Sequence, residues 1–90
     1  MKYVLFYEAA EDFRSKVPAH FEAHRALWGE FSATGDLLMI GPFMDAPAGG
    51  AMAIFRSRDA AERFAKADPF VTHGIVARFT VREWNEALVP

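Results

Sequence analysis

The chain has 90 residues, is 52% hydrophobic and 14% aromatic, and contains no cysteine, so neither disulfides nor thiolate-bound zinc can reinforce its core. A single domain spanning 1–90 is expected, and a chain this short buries only about two thirds of its unfolded surface. The net charge of −2 excludes the basic footprint of a nucleic-acid binder. The leading apolar run KYVLFY is too short for a membrane span or a signal-peptide core, which gives the expectation of a soluble, cytoplasmic protein with no membrane partner.

KYVLFYE alternates, with Tyr3, Leu5 and Tyr7 on one face and Val4 and Phe6 on the other. Both faces are apolar, which predicts a central strand. From about Phe13 to Ala33 the period becomes helical: Val17, Phe21, His24, Trp28 and Phe31 share a face, with His20 and Leu27 beside them. The helix is expected to start near Pro18 or a turn earlier and to stop at Gly35.

DLLMIGPF predicts a second strand closed by Gly41-Pro42, and APAGGAMAIFRS a glycine-rich turn feeding a third strand, Ala51 to Phe55. Ser57 or Asp59 can cap a second helix that turns Ala61, Phe64 and Ala65 inward. After Gly74 comes a last strand, IVARFTVREW, in which Ile75, Ala77, Phe79 and Val81 alternate onto one face. The order βαββαβ is that of the ferredoxin-like α+β fold, a four-stranded antiparallel sheet with two helices on one face. Its other face would be bare. The apolar strand residues, Tyr3, Leu5 and Tyr7 among them, then predict a homodimer whose second copy covers it. No repeats, low-complexity tracts or linkers interrupt the chain.

Two residues stand out. His24 lies in the middle of an apolar stripe, as a core histidine satisfied by one hydrogen bond or as a working acid/base. Asp68, in AKADPF, either caps a short helical turn begun by Pro69 or orients a histidine brought from elsewhere. With both helices on one face of the sheet, the end of the second helix comes within reach of the first, so the two residues can meet.

His20 and His24 have the i,i+4 spacing of metal-binding pairs, but only the remote His73 offers a third ligand, and no metal is expected. The segment IGPFMDAPAGG reads as a turn or as a source of backbone N–H donors for an anionic ligand. No phosphate-binding glycine motif and no Ser or Cys nucleophile constellation is present. Trp28 and Trp84 read as core or interface residues.

The ordered set YVLFY, HRALWGEFSATGDLLMIGPF, the glycine-rich hairpin and FAKADPFVTHGIVARFTVREW resembles the YCII-related (YciI-like) family over nearly the whole chain. Ile40 stands where a subgroup linked to sigma-factor genes has Asp, which sets the chain apart from that subgroup. The resemblance implies a ferredoxin-like subunit pairing into a dimeric α+β barrel, with a His–Asp active-site pair that falls on His24 and Asp68. Relatives include enzymes of aromatic degradation, a dehydrochlorinase among them.

Two functions follow as expectations. One is a cofactor-independent enzyme of lyase, isomerase or dehydrochlorinase type that acts on a small cyclic or aromatic acid, with His24 shuttling the proton and Asp68 orienting it. Tyr3, Tyr7, Phe21 and Phe70 would wall its pocket, with Gly41 and Pro42 as further substrate-binding residues. The alternative is a non-catalytic dimeric module that binds a small ligand or serves regulation.

Overall fold

The computed structural model describes residues 1–45 and 47–90; Ala46, which heads the expected glycine-rich turn, lies outside the described residues. The elements follow as β1 (Lys2–Ala9), α1 (Phe13–Ala33), β2 (Leu37–Pro42), β3 (Ala51–Phe55), α2 (Arg58–Ala67), α3 (Pro69–Thr72) and β4 (Val76–Trp84). The strands form one antiparallel sheet in the order β2-β3-β1-β4. The double-apolar alternation of β1 places it between β3 and β4, and the topology is ferredoxin-like.

The register sets which residues share a face. Leu5 pairs with Ala53 and Val81, and Tyr7 with Ala51 and Phe79. These residues belong to the core beneath the helices, together with Phe55, Phe64, Ala60, Ala61 and Ala65. The face holding Leu5 and Tyr7 is therefore the covered one, which corrects the expectation that this stripe lies bare. The open face instead carries Val4, Phe6, Met39, Met52, Ile54 and Trp84, which the same registers align across the strands.

Helix α1 starts one turn before Pro18, which sits inside the helix and offers no N–H to the carbonyl four residues back. At its other end Gly35 takes φ +82°, the left-handed conformation that a side chain opposes. Gly35 N–H then donates to the Ser32 carbonyl at 3.0 Å and Asp36 N–H to the Phe31 carbonyl at 3.1 Å, a Schellman termination.

Ser57, rather than Asp59, caps α2: its Oγ accepts from Ala60 N–H at 3.1 Å, while Asp59 in the first turn and Lys66 in the last complement the helix dipole. Asp68 both ends α2 and caps α3, accepting from Phe70 N–H at 3.0 Å behind Pro69.

In β4 the expected alternation of Ile75, Ala77, Phe79 and Val81 slips. The register shifts at Glu8/Ala9, so that Glu8 pairs with Arg78 but Ala9 with Val76. Ala77 is the extra, exposed residue of this bulge, and Val76 takes the core position instead. Among the described residues no helix is long and apolar enough to cross a membrane.

Candidate active site

The two halves of α1 meet the sheet differently. Leu27, Trp28 and Phe31 pack against the core, Phe31 edge-on to Phe55 and Phe64. Phe13, Val17 and Phe21, on the same helical face, do not join that packing and instead border a cavity of about 520 Å³. Its opposite wall is Leu5, Tyr7 and Ala53 of the sheet, and its mouth is formed by Phe43, Met44 and Gly49 of the β2–β3 connection. This volume lies within the range of about 300–1,000 Å³ typical of small-molecule sites.

His24 is the one buried residue of α1 and faces this cavity. Its Nδ1 lies 2.8 Å from Asp68 Oδ1. The same oxygen accepts from Phe70 N–H, and Tyr7 OH donates to Oδ2 at 2.6 Å. Asp68 is fully buried, and three donors on its two oxygens compensate the removal of the carboxylate from water. Burial first, and then the Asp68 charge and hydrogen bond, push the Tyr7 hydroxyl far above its usual ionisation, so Tyr7 remains a donor.

The imidazole plane is fixed as well as its edge. Phe70 stacks on His24 with centroids 3.9 Å apart and planes 8° from parallel, and Trp28 meets the ring edge-on at 5.1 Å. Because the carboxylate can only accept, Nδ1 carries the proton in the neutral ring and the lone pair falls on Nε2. Nε2 has no protein hydrogen-bond partner among the described residues, and no buried side-chain nitrogen or oxygen there is left without one, so Nε2 is accessible. The arrangement can take a proton at Nε2 and stabilise the resulting imidazolium through Asp68.

Asp68 thus fills both roles open to it, cap and partner of a distant histidine. Tyr7, Phe21, Gly41, Pro42 and Phe70 all border the cavity. Tyr3 does not: it lies outside, under the Arg58 guanidinium at 5.4 Å. Trp28 lines the cavity as well as packing on the core, where the sequence suggested only core or interface.

The reading of a His20–His24 metal pair is not supported by geometry. His24 Nδ1 is engaged by Asp68, the His20 ring lies against His73 at 4.1 Å, and among the described residues no group of three His, Cys, Asp or Glu side chains could hold a metal ion. The sequence reading missed Arg14, Phe43 and Met44 as lining residues, and missed the Tyr7–Asp68 hydrogen bond. The only signal for Arg14 was its place one turn before Val17 on the apolar stripe.

Comparison with known proteins agrees with this fold. The family model of the YCII-related domain matches residues 1–85. The solved structure of 5-chloro-2-hydroxyhydroquinone dehydrochlorinase (TftG) from Burkholderia phenoliruptrix AC1100, in complex with 2,5-dihydroxybenzoquinone, superposes with a TM-score of 0.80 at 21% identity, over 97% of this chain and 96% of that one. Rv0793 from Mycobacterium tuberculosis superposes with a TM-score of 0.50 at 18% identity, over 97% of each chain. No curated protein matches by sequence.

Proposed function

The chain belongs to the YCII-related family, and from that premise we propose that it is an enzyme that moves a proton on a small cyclic or aromatic acid, with His24 as general acid/base and Asp68 as its orienting partner. The observation that carries this is a histidine on the wall of an apolar cavity whose Nδ1 is held at 2.8 Å by a buried carboxylate while Nε2 has no protein partner among the described residues. Nε2 takes a proton from an acidic C–H or O–H of the bound ring, and its electron pair moves into the ring. The proton returns at another carbon in an isomerisation. In an elimination the proton is instead delivered to the carbon that bears the leaving group, loss of a second ring O–H proton to Nε2 then expels that group, such as chloride, and the imidazolium proton passes to water. The superposition with a dehydrochlorinase bound to a dihydroxyquinone supports the second course at the level of fold.

The test uses 5-chloro-2-hydroxyhydroquinone and 2,5-dihydroxybenzoquinone under anaerobic conditions in D₂O, following chloride release and deuterium entry into the ring. Rates above background in the wild type, lost in His24→Gln, are expected, since a positioned acid/base supplies about 10²–10⁴-fold. Equal rates in both proteins overturn the reading. Binding of the quinone without exchange would move the function to a ligand-binding module.

The reading extends to a homodimer. Met39 and Trp84 are 66% and 46% exposed on a sheet face that also carries Phe6, Met52 and Ile54, an apolar patch that no helix among the described residues covers. A second copy laid on that face closes two sheets into an α+β barrel.

A further inference from the structure

The charge and length of the cavity specify more about its ligand than the dyad does. Among the described residues no Asp or Glu lines it, and Arg14 supplies its one fixed charge. The Arg14 guanidinium lies over the Phe13 ring, 4.6 Å from the centroid, and makes no ion pair within 4.0 Å among the described residues. Asp12, two residues before it, is engaged by Lys16 at 3.2 Å. An unpaired cation at the rim of an otherwise apolar cavity attracts an anion from solution.

Distance supplies the second constraint. Arg14 and His24 are ten residues apart on one helix, about 15 Å along its axis at the α-helical rise. The Arg14 guanidinium rests on the ring of Phe13, the first residue of the helix. Val17 and Phe21 line the interval, and with about 520 Å³ available the cavity holds more than a single six-membered ring.

We propose that the cavity takes an elongated amphipathic carboxylate, with a ring against His24, an apolar arm along Phe21 and Val17, and the carboxylate on Arg14. This rests on the cavity being the substrate site of the proposed proton-transfer reaction, and it names Arg14 as a specificity-determining residue for that substrate. The dyad would recognise the ring and Arg14 the distant charge, so a ring lacking the arm occupies only the inner half.

The experiment is calorimetric titration of the protein with phenylacetate, 4-phenylbutyrate and 6-phenylhexanoate, and with the alcohol corresponding to the longest. Affinity is expected to rise with arm length, and 6-phenylhexanoate to bind about three- to tenfold tighter than its alcohol, the range from an exposed ion pair to a charge-assisted hydrogen bond. Arg14→Gln should equalise acid and alcohol, and Arg14→Lys should keep part of the preference. Affinity independent of arm length, or a preference for the acid that survives Arg14→Gln, overturns the proposal. The titration needs no turnover: expected binding in a protein without ring proton exchange defeats the catalytic reading alone, whereas exchange without the arm-length and charge dependence defeats this one alone.

Discussion

Three hydrogen bonds end on Asp68, and substitution separates its roles. Asp68→Ala strips the cap from α3 and leaves the buried Tyr7 hydroxyl and His24 Nδ1 without their acceptor. A lost cap alone costs about 0.5–2 kcal/mol, and orphaned buried donors add about 1–3 kcal/mol. Asp68→Ala should therefore lose more than a cap is worth, read by chemical denaturation. Asp68→Asn keeps an acceptor for Phe70 N–H and should recover most of that loss. It removes the charge that stabilises an imidazolium, so any His24-dependent proton exchange should fall by about 10²–10⁴-fold while the fold survives. Retained exchange in the Asn variant would reduce Asp68 to a cap.

Tyr7 gives the complementary measurement. Its folded-state ionisation is raised above the ordinary value of 10.0, chiefly by burial and then by Asp68. A raised acid contributes stability that is fully present below the unfolded value and is lost as pH rises towards the folded one. Tyr7→Phe should be the less stable protein at neutral pH by about 1–3 kcal/mol. The gap should narrow above about pH 10, by up to about 1.4 kcal/mol per pH unit. A gap constant from neutral pH to pH 11 would contradict the burial of that hydroxyl.

At the scale of elements, the cavity exists because α1 packs on the core with its second half and stands off with its first. Gly49 belongs to that arrangement. It adopts φ +76°, and a Cβ added there would lie 2.6 Å from Phe13 Cζ. Gly49→Ala should cost about 1–2 kcal/mol for the left-handed backbone alone, and relief of the contact requires Phe13 to move at the cavity wall. Chemical denaturation should show the loss, and titration with 2,5-dihydroxybenzoquinone should show altered affinity. Wild-type values in both would mean that the connection adjusts freely and does not shape the mouth.

For the whole molecule, the decisive question is what covers the open sheet face. Sedimentation at micromolar concentration should give a dimer, and Met39→Glu, which puts a charge beside Ile54 on that face, should give a folded monomer because burying an unpaired charge opposes association. A wild-type monomer at that concentration would remove the proposed barrel. The outcome also bears on core size, since a 90-residue chain without cysteine has few other means of burying more apolar surface.

The sequence by itself determined the elements and their order, because each signal is local. Alternation marks a strand, a 3.6-residue stripe a helix, and Ser57, Asp68 with Pro69, and Gly35 punctuate their ends through hydrogen bonds to residues a few positions away. It also isolated His24 and Asp68 as residues whose chemistry their surroundings did not require. The family resemblance held for the same reason, being an ordered set of local segments.

Only the tertiary structure decided the rest. The resemblance named the His24–Asp68 pair, but at 44 positions apart no local pattern reports its hydrogen bond, and the Tyr7–Asp68 bond, across 61 positions, had no signal at all. Periodicity shows that a helix face is apolar but not whether it touches the sheet, so the stripe alone did not separate Val17 and Phe21, which wall a cavity, from Phe31, which packs on the core. The bulge that exchanges Ala77 for Val76 leaves the alternation of β4 looking intact, because it is a property of the pairing between two strands and not of either one. Which face of β1 the helices cover was open for a similar reason: both stripes are apolar, and the choice depends on the packing of distant helices against the finished sheet.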